Sequence, residues 1–286
     1  MTQNRGRSAR PRKRHRSTAG VMLITLLCAA IAVAAVFGVL YVCGYRYVKN
    51  IGSDGAAVKY LGWVKNDGTP VSGTLYYENA LTARVDSEAG TVTFSNGNVY
   101  EGALSGLLMN GKGKMTYANG DVYEGDFLAG CITGNGKYTY SNFDVYEGAL
   151  QNGVKEGYGK YTWADGSVYE GNFSGGLKNG EGKYTWADGS SYEGTFVNDA
   201  KDGYGTFRFA DGSTYTGDYV MDVRTGQGTF TWANGESYTG GFVNNQMEGW
   251  GEYTWPSGRK YTGYFKDGKI VPVDETDSSD DTQKGE

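Results

Sequence analysis

Residues 169–191 decide the fold. They read Tyr169-Glu170-Gly171-Asn172-Phe173, then Ser174-Gly175-Gly176-Leu177-Lys178-Asn179, then Gly180-Glu181-Gly182-Lys183-Tyr184-Thr185-Trp186, and close with Ala187-Asp188-Gly189-Ser190-Ser191. In an extended chain successive side chains point to opposite faces, so Tyr169, Gly171 and Phe173 share one face, with Glu170 and Asn172 on the other. The same alternation groups Gly180, Gly182, Tyr184 and Trp186, with Glu181, Lys183 and Thr185 opposite. Asp188-Gly189 supplies a turn, since glycine accepts positive φ at low cost. The stretch predicts a β-hairpin with one aromatic and one polar face, its strands joined by a loop over residues 174–179.

The pattern extends in both directions without a slip. Tyr100, Tyr123, Tyr146, Tyr169, Tyr192, Tyr215, Tyr238 and Tyr261 follow one another at 23-residue intervals, and glycine stands two residues after each. A second comb in the same phase runs from Gly111-Lys112-Gly113 through Gly180-Glu181-Gly182 to Gly249-Trp250-Gly251. A fixed period over this length means stacked repeats, none of which buries its apolar face alone. Glycine at the second, eleventh and thirteenth positions after each tyrosine is expected to open holes for the rings of neighbouring units. The rings themselves are read first as core, because burying them is the main source of stability available.

The succession Tyr-Glu-Gly, loop, Gly-x-Gly, aromatics and Asn/Asp-Gly turn resembles the MORN (membrane occupation and recognition nexus) repeat. Tyr123-Glu124-Gly125 through Gly134-Asn135-Gly136 and Tyr169-Glu170-Gly171 through Gly180-Glu181-Gly182 carry the likeness. It covers Tyr100 to Tyr264 closely. Thr replaces Glu in Tyr215-Thr216-Gly217, Tyr238-Thr239-Gly240 and Tyr261-Thr262-Gly263, and Phe143 stands where other turns have glycine. The resemblance implies an all-β repeat: an elongated, twisted antiparallel sheet of consecutive hairpins curled into a trough. It also implies a role as scaffold, dimerisation module or membrane-proximal adaptor. Nine hairpins plus one strand give 19 strands, a sheet roughly 90 Å long at ~4.8 Å per strand.

The remaining blocks have their own signatures. Residues 1–20 carry Arg5, Arg7, Arg10, Arg12, Lys13, Arg14 and Arg16 and no acidic residue. Residues 21–45 form an uncharged apolar run, long enough at ~1.5 Å per residue to cross a ~30 Å bilayer core as one transmembrane helix. The run is longer than a signal-peptide core and ends in the bulky Leu40-Tyr41-Val42-Cys43, which predicts an uncleaved signal anchor. The positive-inside rule keeps the amino terminus in the cytoplasm and sends the rest outside.

Residues 46–59 read as a linker. The repeat domain spans 60–271, with degenerate units over 60–99, seven regular units over 100–260 and a half unit over 261–271. In the first degenerate unit Tyr60, Gly62, Val64, Gly73, Leu75 and Tyr77 keep the spacing, and in the second a tight hairpin is expected around Asp86-Ser87-Glu88. Residues 272–286, with Asp274, Glu275, Asp277, Asp280, Asp281 and Glu286 against Lys284, form an acidic tail expected to be disordered.

Composition argues against several functions. The sole histidine is His15, in the basic run, so His-based acid–base or nucleophile chemistry is not expected in the repeats. Cys28 and Cys43 lie in the apolar span, leaving Cys131, placed in a loop, as the one thiol of the repeats; an intrachain disulfide and a zinc site are therefore not expected. Asp165, Asp188 and Asp211 fall one per Asp-Gly turn, where turn-making explains them better than calcium binding. No cofactor is implied.

Between residues 60 and 271 there are 16 Lys and Arg against 25 Asp and Glu, a net −9 that argues against nucleic acid as a partner. The sequence favours a non-catalytic, membrane-anchored, extracytoplasmic scaffold for a protein partner, with homo-oligomerisation open. The alternative is a glycan or cell-wall polymer module that stacks sugars on the groove aromatics Trp163, Trp186, Trp232 and Trp255.

Overall fold

A computed structural model describes residues 18–51 and 57–272. The basic run through Ser17 and the acidic tail from Val273 lie outside the described residues. Helix α1 (Thr18–Val42) is followed by β1 (Tyr45–Ile51), β2 (Ala57–Val64), β3 (Pro70–Tyr76), β4 (Thr82–Asp86) and β5 (Thr91–Phe94). The regular units contribute β6 (Val99–Ser105), β7 (Leu108–Thr116), β8 (Val122–Leu128), β9 (Cys131–Thr139), β10 (Val145–Gln151) and β11 (Val154–Thr162). They continue as β12 (Val168–Ser174), β13 (Leu177–Thr185), β14 (Ser191–Val197), β15 (Ala200–Arg208), β16 (Thr214–Val220) and β17 (Val223–Thr231). The chain closes with β18 (Ser237–Val243), β19 (Gln246–Thr254), β20 (Lys260–Lys266) and β21 (Lys269–Ile270). All pair in one 21-stranded sheet, each antiparallel to the next in sequence.

The all-β meander of hairpins behind one apolar helix is therefore as the periodicity requires. Two strands exceed the expected 19. Residues 45–51, assigned mostly to a linker by sequence, pair with β2 from Tyr45↔Trp63 to Ile51↔Ala57. The edge of β2 offers unpaired N–H and C=O groups, and Tyr45 adds an edge-to-face contact with Trp63 at 4.8 Å. No tyrosine–glycine step marks this strand, so the repeat phase passed over it. At the other end, β21 pairs with β20 through Phe265↔Ile270 and Lys266↔Lys269.

The loop expected over 174–179 is also shorter than it reads. Strand β13 begins at Leu177, leaving the two-residue turn Gly175-Gly176 with φ of 58° and 87°. Two positive φ values are the signature of a type I′ hairpin, whose twist matches that of the strands. By the same shortening Cys131 opens β9 rather than lying in a loop. The surplus length is absorbed by a bulge. Gly171 pairs with Gly182 and Phe173 with Lys178, so Asn172 alone opposes residues 179–181.

The bulge explains both the tyrosine and the glycines. The hydroxyl of Tyr169 donates to the carbonyl of Asn172, three residues on, at 2.9 Å. Tyr60, Tyr100, Tyr123, Tyr146, Tyr192, Tyr215 and Tyr238 make the same bond in their own units, at 2.7–3.2 Å. To reach that carbonyl the ring lies flat over its own hairpin. A Cβ on Gly182 would stand 2.4 Å from the Tyr169 oxygen, and one on Gly171 2.6 Å from it. The glycines at the second and thirteenth positions thus make room for the unit's own tyrosine, not a neighbour's. The eleventh-position glycine has a different reason: Gly180, inside the bulge, adopts φ +98°.

Between hairpins the turns follow the sequence. Gly189 has φ +85°, and the Asp188 carboxylate accepts the Ser190 N–H at 2.8 Å; Asp165 and Asp211 do the same for Ser167 and Ser213. Phe143 occupies the corresponding turn position at φ +73° with 80% of its surface exposed.

Replacing Gly182 by Val is expected to lower unfolding stability by ~1–3 kcal/mol, the usual scale of overpacking. Lys183→Val, on the opposite, exposed face, is expected to cost less than ~0.5 kcal/mol; denaturant titration of the two variants decides whether the faces are assigned correctly. Phe143→Gly is expected to raise stability by ~1 kcal/mol, because a β-carbon strains a left-handed backbone; a lower unfolding midpoint would contradict this.

Candidate binding face

Each unit gives the aromatic face two rows of rings. The first joins the buried tyrosines to the residue four positions on. Phe173 meets Tyr169 of its own unit at 5.1 Å and Tyr146 of the preceding one at 5.3 Å, both nearly perpendicular. Phe196, Tyr219, Phe242 and Phe265 repeat the contact to the preceding tyrosine. Repeats are thereby joined edge to face, and the tyrosines from Tyr100 to Tyr238 are fully buried.

The second row is a file of partly buried rings. Tyr117, Tyr138, Tyr140, Tyr161, Trp163, Tyr184, Trp186, Phe207, Phe209, Phe230, Trp232, Tyr253 and Trp255 each contact the next, at centroid distances of 4.3–5.9 Å. All four sequence-nominated tryptophans belong to it. Trp163 sits between Tyr161 and Tyr184, Trp186 between Tyr184 and Phe207, and Trp232 between Phe230 and Tyr253. Trp255 closes the file with Tyr253 on one side and the Arg259 guanidinium 4.0 Å from its centroid. Trp163, Trp186 and Trp232 thus have rings on both sides, whereas Trp255 has one ring and the Arg259 guanidinium.

The structure adds a row that sequence did not assign to any face. Lys155, Lys178, Lys201 and Arg224 recur at 23-residue intervals, and the turn shortening brings them out of the presumed loop onto the aromatic side of β11, β13, β15 and β17. Lys155 lies 4.6 Å from the Tyr161 centroid, Lys178 4.9 Å from Tyr184 and Arg224 5.3 Å from Phe230. Only 17% of the Lys178 and Lys201 side chains is exposed, and they pair with Asp199 at 4.0 Å and Asp222 at 2.8 Å. The equivalent partner of Arg224 is the neutral Asn245, and that of Lys155 is Gly176. Burial among rings pushes the Lys155 and Lys178 ammonium pKa down, opposed by Asp199. The 23-residue recurrence of these cations was the signal available in sequence.

Acidic groups flank the row nearer the amino terminus. Tyr138 and Tyr161 donate to Asp121 and Asp144 at 3.0 and 2.8 Å, and burial followed by these carboxylates pushes both phenols up. A cleft of about 180 Å³ opens between Lys201, Phe207, Tyr219 and Arg224, and one of about 430 Å³ lies at the carboxyl end against Trp232, Trp255 and Ile270. Among the described residues no cluster of His, Cys, Asp or Glu is grouped to hold a metal ion.

A one-sheet array of bulged hairpins with a continuous aromatic face defines a β-hairpin repeat protein. A family model for the MORN repeat matches seven consecutive stretches, 100–122, 123–145, 146–168, 169–191, 192–214, 215–237 and 238–258. The chain belongs to the MORN repeat family. No curated protein sequence matches it. Among solved structures it is similar to the SAS-4 (dCPAP) TCP domain of Drosophila melanogaster in complex with a proline-rich motif of Ana2 (dSTIL), at 20% identity and TM-score 0.36, over 55% of this chain and 85% of that one. The TCP10 domain of Danio rerio CPAP matches at 12% identity and TM-score 0.35, over 77% and 100%.

Burial pushes Tyr123, Tyr146, Tyr169, Tyr192 and Tyr215 up to about 12 from an ordinary value of 10.0. Between those values the folded chain holds more protons than the unfolded one, so stability falls as pH rises. The fold is expected to keep its tyrosine-derived stability up to pH 10 and to lose it steeply towards pH 12. Tyrosinate absorbance and circular dichroism followed together check this, and titration of these five buried tyrosines at 10 in a folded chain would contradict it.

Proposed function

We propose that this protein is a membrane-anchored, non-catalytic scaffold that presents the aromatic face of its repeat sheet to a protein partner outside the cytoplasm. The observation that carries this reading is the continuity of the face: one file of rings runs from Tyr117 to Trp255, and across four of the seven regular units a row of cations keeps the same phase. A surface of that length and period suits an extended segment of another chain better than a small molecule. Anchoring is supported by α1, whose apolar side chains, from Met22 to Val42, are largely exposed along its length. By length and composition it is able to cross a membrane. Arg46 at its exit lies 3.6 Å from the Tyr41 centroid and bonds the Tyr41 carbonyl, a cation suited to a headgroup boundary.

The glycan reading has less support, because sugars stack on open ring faces and the tryptophan faces here adjoin neighbouring rings. Non-catalytic action is supported by the confinement of histidine to His15.

Protease added to intact cells is expected to digest the repeats, and protection until lysis would overturn the proposed orientation. Crosslinking capture of a partner is expected to be lost with Trp186→Ala and Trp232→Ala together and kept with Tyr158→Ala and Tyr204→Ala, whose rings lie exposed on the opposite face. Retention on polysaccharide with no protein captured would favour the glycan module.

A further inference from the structure

The cation row has a ruler. Two strands per unit at ~4.8 Å place successive cations ~9.6 Å apart. A strand or polyproline-type segment advances ~9.3–9.9 Å in three residues, so carboxylates at every third position match the row. Asp274, Asp277 and Asp280 have that spacing.

The exit of the chain points the same way. In each earlier unit that opens on a tyrosine, the hydroxyl donates to a carbonyl three residues on. Tyr261 instead donates to the carbonyl of Val271 at 3.1 Å, while the Val271 N–H donates to the carbonyl of Tyr264 at 2.9 Å. The backbone leaving β21 is thus held at the aromatic side, beside the cleft that ends at Trp255 and Ile270. Four strand spacings, ~19 Å or about six extended residues, separate β21 from Arg224 on β17. Counting from Val271, that brings Asp277 to Arg224 and Asp280 to Lys201. The fifteen residues from Pro272 reach ~47 Å, as far as Lys155.

Charge agrees with distance. Along the row four cations face two carboxylates, Asp199 and Asp222, and among the described residues no ion pair forms at Lys155 or Arg224. The tail supplies six carboxylates against Lys284.

We propose that the row formed by Lys155, Lys178, Lys201 and Arg224 is a docking site for an extended acidic segment, and that its occupant in this chain is the tail, residues 273–286. This rests on the aromatic face being a binding surface. It adds that the surface is covered by the chain's own tail until a partner with a similar run of carboxylates displaces it. A tethered segment competes at an effective concentration of the order of millimolar, so weak docking suffices.

The test uses the full chain in detergent and a fluorescein-labelled peptide of sequence 272–286, read by anisotropy. A chain carrying Asp274→Asn, Glu275→Gln, Asp277→Asn, Asp280→Asn and Asp281→Asn is expected to bind the peptide about tenfold more tightly than the native chain, whose own tail competes. Adding Lys155→Gln and Arg224→Gln, with circular dichroism to confirm folding, is expected to abolish that binding. Lys160→Gln with Lys183→Gln on the opposite face is expected to leave it unchanged, and raised salt to weaken it. Equal affinity for the native and neutralised-tail chains would overturn tail docking while leaving the face as a binding surface. No binding to either chain, or binding indifferent to Arg224 and Lys155, would overturn the acidic-segment site itself.

Discussion

One hydrogen bond sets the geometry of this molecule: the phenol of the first residue of each unit donating to a carbonyl three positions on. That carbonyl lies at the register shift of the hairpin, next to the glycine pair. A hydrogen bond of this kind contributes on the order of 0.5–1.5 kcal/mol, and each unit makes it from its own residues. To do so the ring must lie flat across two strands, which is sterically open only if both strands carry glycine beneath it. Tyrosine, two glycines and the bulge are therefore one constraint, and it is satisfied from Tyr60 to Tyr238 in the same way.

A single sheet has no second layer to cover its apolar side, so the covering must come from within the face. Here the fourth-position rings close over the flat tyrosines edge to face, and the file from Tyr117 to Trp255 closes over the other strand. The long side chains of Lys155, Lys178, Lys201 and Arg224 complete the cover, burying their methylenes against rings while their charges rest near aromatic faces or carboxylates. The face is thereby both core and surface. Its inner layer is sealed, and its outer layer retains ring edges and cations that a further chain segment is able to contact.

The ends of the sheet are treated differently from its middle. At the amino-terminal end β1 covers the edge of β2 and connects directly to α1, so the apolar helix and the sheet are joined by a turn and by the Arg46 contacts with Tyr41. At the carboxyl end two residues of β21 pair, and then Tyr261 holds the departing backbone at the aromatic side. The opposite face is mostly polar but also carries exposed rings such as Tyr158 and Tyr204; its cross-strand pairs, such as Lys137–Glu147 at 3.3 Å and Lys260–Glu252 at 2.7 Å, are exposed and so are minor contributors to stability.

Period and alternation alone determined the hairpin repeat, the phase of its units, the sidedness of the rings and the Asp-Gly turns. Each is a local property: a 23-residue recurrence, a two-residue alternation, a glycine where φ turns positive. The apolar helix was legible for the same reason, within a few residues at each end. Four features were decided only by the folded sheet. The tyrosine that each glycine accommodates is its own unit's, because the bulge, visible only in the strand register, redirects the hydroxyl inward. Residues 174–179 are mostly strand, because pairing within their own hairpin, Phe173↔Lys178 and Ser174↔Leu177, outweighs their loop-like composition. The cations at Lys155, Lys178, Lys201 and Arg224 line the aromatic face, because shortening that loop fixes which side each side chain takes; β1 forms because β2 offers an open edge. All of these depend on the register in which segments pair, and a linear pattern of residue types shows that strands alternate without fixing that register.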